Sequence, residues 1–596
     1  MQPLQDSEPH LADGHLVPQG EHDAMTSPGW SAHVRLTLRR ATSVQSLSVG
    51  LIVVLLAFIT VYPMIMLLYG SLHSTPPGMA GSFNLDGYAA ALKQSNLLIL
   101  ANSVGIAVAQ TLPSVFMAIL LAWIIARTDT PGGRTLEVLI TLPFFLPPIL
   151  TAMAWGMLGN PQTGLINEAW RWLTGSSSPL VNVYSYGGVV WHLMQYSTAF
   201  LFLFLVDAFR VMDPSLEEAS RMCGGGHRST FWRITLGVLL PVITSSAILA
   251  FIRGIEAFES PVFFGTPAGV KVITTEIYDS ITGRTPPDYQ YASAIGFVML
   301  ALMMCVVLLQ WKVLRGKNFQ TVTGKGFRPA TISLGRWKWL TFAICAIYFL
   351  VAVVLPIGQL FIGSFFQFLG FYSLDSLTLD HYRSVFDNAD FWRSFRNTMY
   401  LGLGGATATM FLGSVIGYIT VRTRWPGRQV VDVIAWIPWM LPGIVLGAGF
   451  LWAFAMLPAW IPIYGTIWAL FLAYLSLGTP VAVRRMTEAY RQLSVDLEEC
   501  SRVHGATWAQ TLVRIMIALA WPSFVVGWVL VFFGIMRELS ASILLYSVGN
   551  EVMSVMLLKL WLSGNAEEVC VIGLLMIVLV IVFRLLLPQI GGRSKV

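Results

Sequence analysis

Apolar runs of about 20 residues, each long enough to cross a ~30 Å hydrocarbon core, alternate with short polar segments along almost the whole chain. They predict twelve membrane-spanning helices, near 47–70, 99–126, 135–158, 186–208, 236–260, 291–312, 339–364, 397–421, 429–456, 463–483, 517–540 and 566–588. The stretch SILLYSVGNEVMSVMLLKLW is apolar but interrupted by Gly549, Asn550 and Glu551, so its pattern fits neither a span nor a loop. Residues 1–45 are rich in Pro, Gly, Ser, His and charges and read as a disordered tail. The histidines there (His10, His15, His22, His33) match no metal-ligand spacing. A basic linker, 315–338, separates two sets of six spans, 46–314 and 339–596. Six is even, so the two halves share one orientation and are parallel repeats, an arrangement that places a substrate path at the repeat interface.

Composition supports the pattern. Only 11% of the 596 residues are charged and 55% are hydrophobic, with a mean hydropathy of +0.67. A soluble domain carries roughly 25% charged residues. Of the 37 Lys and Arg, 27 fall in segments on the side of the N-terminus and 8 on the other side; Arg253 and Arg537 lie within spans. Basic residues stay cytoplasmic, so both termini are expected there. The net charge of +6 is thus a topology signal and not a nucleic-acid one. The five cysteines all fall in spans or on the expected cytoplasmic side, so no disulfide framework is expected. No cleavable signal peptide is expected either, since the first apolar run starts after about 45 polar residues.

One polar stretch occurs twice. LEEASRMCGGGH, from Leu216 to His227, is echoed by LEECSRVHGATW, from Leu497 to Trp508, at a constant offset of 281. Both lie between the fourth and fifth spans of their half. Each predicts a short helix, with Asp213 or Ser494 as N-cap and Pro214 at the first helical position. Glu217/Arg221 and Glu498/Arg502 have the i,i+4 spacing of surface ion pairs. Gly224 and Gly505 offer a left-handed C-terminal turn. A capped connector would explain one copy; two copies on one membrane face point to two sockets in a partner. Other landmarks recur at an offset of 295: Asn102-Ser103 with Asn397-Thr398, and LPFFLPPIL (142–150) with IPWMLPGIV (437–445).

Glu218-Ala-Ser-x3-Gly224 followed by Ile234-x-Leu236, and Glu499-Cys-Ser-x3-Gly505 followed by Ile515, resemble the "EAA" loop. That loop marks the transmembrane subunits of binding-protein-dependent ATP-binding-cassette importers, and the resemblance covers nearly the whole chain. It implies an all-α polytopic membrane protein of the type I importer permease (MetI-like) fold in a bacterial inner membrane. The docking residues it implies are Glu217, Glu218, Ala219, Arg221 and Gly224, then Glu498, Glu499, Cys500, Arg502 and Gly505. They would form coupling helices seated on two copies of an ATPase subunit, with a periplasmic or lipid-anchored binding protein on the other face. The chain departs from the family pattern at Gly237 and Ala518, where a proline is usual, and at Cys500 and His504. No phosphate-binding G-x-x-x-x-G-K-[ST] loop occurs, since TVTGKG near Gly324 lacks the spacing. The chain is therefore expected to bind no cofactor itself, with ATP and Mg on the partner. The fused length and the phrase RELSASILLYSVGNEVMSV resemble ferric-iron uptake permeases; permeases for thiamine and for phosphonates or sugar phosphates are close relatives.

Ionisable groups inside spans are costly and mark functional candidates. Arg253, Glu256 and Glu259 lie near the outer end of the fifth span, and Arg537 and Glu538 near that of the eleventh. Two readings stand side by side: a translocation path, or the internal pairs Arg253/Glu256 and Arg537/Glu538 at broken helix ends. His192 reads as a hydrogen-bonded interior histidine. Pro143, Pro147, Pro148, Pro438 and Pro442 are expected to kink the third span of each half. The competing class is an ion-coupled secondary transporter, which would have no reason to duplicate a docking loop. A membrane sensor that merely recruits a cytoplasmic protein also competes. No catalytic constellation or metal-ligand pattern stands out.

Overall fold

In the first half, the helix Gly133–Phe145 stops at Leu146 and a second one, Pro148–Leu158, leaves at 94°. Leu146 precedes Pro147 and Leu441 precedes Pro442, and both leucines are extended, as a residue before proline must be to avoid the ring. The second-half counterpart, Arg428–Met440 with Gly443–Ala455, bends by 112° for the same reason. These spans, expected as kinked crossings of 135–158 and 429–456, are broken rather than kinked.

The computed structural model describes residues 44–314, 331–423, 425 and 427–590. The tail up to residue 43 and the linker core 315–330 lie outside them. The described residues up to Leu51 fall in one unit and those from Ile52 onward in another. Among the described residues, nine helices are long and apolar enough to cross a membrane, and three bent pairs raise the number to twelve if each is one span. The third bent pair, Trp508–Ile517 with Trp521–Met536, turns by 84° at Pro522. Its first-half counterpart keeps Pro241 inside one helix, Arg228–Glu256.

Within each half the second span, Gln94–Arg127 or Ala389–Arg422, packs along the fourth, Tyr186–Val211 or Ile467–Gln492. Small residues repeat every four positions on the packing face: Ser114, Ala118 and Ala122 in the first half, Thr409, Gly413 and Gly417 in the second, all six buried. A Cβ on Gly413 or Gly417 would meet Ala482 or Met486 and Thr487. Lipid tails are as apolar as the spans, so such close approach is what holds them together.

The Asn-Ser and Asn-Thr landmarks have one job in both halves. Ser103 Oγ accepts from Ile273 N at 2.9 Å and Asn102 donates to the Lys271 carbonyl at 3.2 Å. Thr398 Oγ1 accepts from Met553 N at 2.9 Å, and Asn397 donates to the Gly549 and Glu551 carbonyls. Each pair fixes the start of a short helix that follows the fifth span, Ile273–Tyr278 or Met553–Leu562. The ambiguous 542–561 stretch is therefore two short helices, Ser542–Leu545 and Met553–Leu562, parted by Gly549 at φ 98°. Beyond the linker core, Ile332 N donates to the Arg127 carbonyl at 2.8 Å. Asp129 accepts from Leu334 N and Ser333 Oγ, and the Leu334 N–H holds its carboxyl below the usual range. The second half thus begins pinned to the end of the first half's second span.

Candidate functional site

The repeated stretch forms the helices Ser215–Met222 and Asp496–Val503, equal in length and equivalent in position. Asp213 Oδ1 accepts from Ser215 N at 2.9 Å, and Ser494 Oγ from Asp496 N at 3.2 Å. Each expected cap thus bonds the first helical amide from two residues ahead of the helix start, one position before the N-caps Pro214 and Val495. Gly224 and Gly505 have φ of 84° and 79°, a region open to glycine. A Cβ there would meet nothing, so the backbone angle alone requires glycine. Ser220 meets Thr230 at 2.9 Å and Ser501 meets Thr511 at 3.0 Å, folding each helix back on the chain leading to the fifth span.

The acidic pair divides its work. Glu217 and Glu498 point inward and are buried, at 7% and 5% exposure, while Glu218 and Glu499 are exposed. The expectation that all four carboxylates face a partner is corrected for Glu217 and Glu498. The expected Glu217/Arg221 pair is also absent. Glu217 instead pairs with Arg127, itself 1% exposed, and accepts from Thr235 Oγ1 at 2.7 Å. Burial favours this partner, since a buried carboxylate gains far more from a buried guanidinium than from one on the surface. In the second half the expected pair does form, Arg502 to Glu498 at 2.5 Å, and Tyr418 donates to the same carboxylate. Ala219, Arg221, Gly224, Cys500, Arg502 and Gly505 are exposed, as expected of a contact face. Sequence reasoning missed the apolar members of that face: Leu216 with Met222 and Leu497 with Val503. Met222 and Val503 are 87% and 84% exposed. Their identical places in both copies were the available signal.

The five span charges gather where the third spans break. Arg253 pairs with Glu256 at 3.3 Å and lies 5.5 Å from the Trp439 ring. Arg537 donates to the Phe144 carbonyl at 2.6 Å and lies over the Phe144 and Tyr196 rings, at 5.1 and 5.7 Å. Glu538 Oε1 accepts from Ala541 N at 2.8 Å beside Gly443, where a Cβ would collide with it. Glu538 lies within electrostatic reach of Arg537, Arg253, Glu256 and Glu259, without an ion pair to Arg537. The Arg253/Glu256 pair is thus present, whereas the expected Arg537/Glu538 pair is not: Arg537 reaches across to the other half. Among the described residues no group of three or more His, Cys, Asp or Glu is placed to hold a metal ion. His192 is held on both ring nitrogens, by Thr151 at 2.9 Å and Ser260 at 2.6 Å.

The family described as "binding-protein-dependent transport system inner membrane component" matches residues 84–316 and 409–592, one match in each half. The chain belongs to this family. It is a multi-pass permease of that class, double in length. Among similar proteins, the "ferric transport system permease protein FbpB" of Actinobacillus pleuropneumoniae is 26% identical over 510 residues, covering 84% of this chain and 71% of that protein. A putative FbpB of Haemophilus influenzae is 28% identical over 466 residues, covering 77% and 71%. The molybdenum transport system permease ModB of Escherichia coli is 28% identical over 197 residues, 32% of this chain but 82% of ModB. A solved bacterial ABC transporter for alginate import covers 48% of this chain and 99% of its own, with 20% identity and a TM-score of 0.41.

Proposed function

We propose that this permease carries ferric iron, delivered by a separate binding protein, across the bacterial inner membrane. Two copies of a separate ATPase, seated on Ser215–Met222 and Asp496–Val503, drive it. The observation that supports iron is the similarity to FbpB proteins over more than three quarters of the chain. The docking reading is supported by two equivalent helices that turn Glu218 and Glu499 outward, each beside an exposed apolar residue on a polar helix. Such a small mixed patch suits a groove that buries an apolar anchor and meets a carboxylate with a cation. On this reading both loop helices and both termini face the cytoplasm, as the basic-residue bias suggests. ATP and Mg then belong to the partner, and the chain supplies the path.

The test is uptake of radiolabelled ferric citrate by cells that express the chain with its neighbouring ATPase and binding protein. Uptake that requires ATP and stops in the Glu218→Arg, Glu499→Arg double variant is expected. Iron-independent growth with ATP-driven thiamine or phosphonate uptake would move the reading to another solute of the same class.

A further inference from the structure

Arg537 and Phe144 each carry a defect that the other repairs. The Phe144 carbonyl would normally accept from the amide four residues on, but that residue is Pro148, which has no N–H. Arg537 brings five donors into a span and forms no ion pair within 4 Å among the described residues, although Glu259 and Glu538 lie within electrostatic reach. Its guanidinium settles on the orphaned carbonyl of the opposite half and on the faces of Phe144 and Tyr196, which stack at 5.7 Å. The fifth span of one half thereby holds the broken third span of the other.

The opposite crossing is built from equivalent places. Trp439 occupies the position of Phe144 at the 295-residue offset, and Arg253 of the first half lies over it. Here, however, Gly443 stands where Pro148 does, and Arg253 lies over the ring without a hydrogen bond to the broken backbone among the described residues. Arg253 pairs with Glu256 of its own helix instead. One crossing is a hydrogen-bonded clasp, the other a ring contact.

We propose that Arg537 is a positioning residue for transport: a cross-half latch that holds the closed path. It must leave the Phe144 carbonyl, toward Glu259 and Glu538, when the halves separate. The two carboxylates give the guanidinium a second resting place, so release does not strand a charge in the span. The Arg253–Trp439 contact is the weaker partner latch. The role in transport rests on the importer reading above; the latch itself does not.

The test uses the full chain in nanodiscs with its ATPase and binding protein. Arg537→Gln is expected to hydrolyse ATP without the binding protein and to move about tenfold less ferric iron per ATP, as loss of one charged hydrogen bond implies. Arg537→Lys, which can still reach the carbonyl, recovers part of the coupling; Trp439→Ala loses less. Wild-type coupling in Arg537→Gln would overturn the latch. A second readout needs no partner: a photo-crosslinking residue at Phe144 should label the peptide around Arg537. That labelling should drop in Arg537→Gln and return in Arg537→Lys. If the wild-type complex imports no iron, this pattern still supports the latch, and labelling indifferent to residue 537 overturns it.

Discussion

The helices Ser215–Met222 and Asp496–Val503 present nearly the same outer face but are fastened from beneath in different ways. In the first half a buried ion pair, Arg127–Glu217, ties the helix to the end of the second span. In the second half the equivalent arginine, Arg422, turns away to the Tyr490 and Leu493 carbonyls at the end of the fourth span. That is a favourable site for a cation. Tyr418, where the first half has Trp123, and the half-exposed Arg502 take over the carboxylate. What the two halves share is the exposed Glu, the glycine turn and the apolar anchor; what they vary is the mounting. A surface that must fit a partner is constrained, while a buried carboxylate needs only some donor to satisfy it.

Breaking the first mounting should cost most. Glu217→Gln leaves the buried Arg127 uncompensated, a penalty of ~3–5 kcal/mol. It should appear as greatly faster hydrogen exchange in residues 215–222 and a lower melting temperature. Arg127→Leu with Glu217→Leu should regain most of that loss, because an apolar pair can replace a buried ion pair. Glu498→Gln is expected to cost only ~1 kcal/mol, since Tyr418 and Arg502 can still donate to the amide oxygen and Arg502 can turn to water. Equal penalties in the two halves would remove the difference.

The outer faces should behave alike. Glu218→Arg and Glu499→Arg are each expected to reduce ATPase stimulation about tenfold while changing stability by less than about 0.5 kcal/mol. The smallest effect concerns an ion pair whose charges are exchanged between halves. Lys271–Asp279 at 2.7 Å stands where Glu551–Lys559 stands at 3.2 Å, both eight residues apart. Asp279→Asn should therefore transport within about twofold of wild type and cost no more than ~1 kcal/mol, since Lys271 keeps its second partner, Glu276.

The span positions, the glycine turns and the repeat itself were legible because they depend on local pattern: apolar run length, positive φ, fixed offset. The third-span breaks were legible as prolines but not as right-angle turns, because the angle is set by what the two arms pack against. The Glu217–Arg127 pair was not legible. Arg221 offered a nearer partner, and nothing local says that Glu217 faces inward. The repeated arginines at the ends of the second spans, Arg127 and Arg422, were the one hint. Arg537 was recognised as costly, but its partner is a backbone carbonyl of the other half, which no side-chain pattern announces.

The central claim is that one chain offers two equivalent ATPase seats. Native mass spectrometry of the full chain co-purified with its ATPase measures this directly. Two ATPase subunits per chain are expected for wild type, with lowered occupancy in Glu218→Arg or Glu499→Arg and none when both are changed. Retention of two ATPase subunits by the double variant would contradict the account.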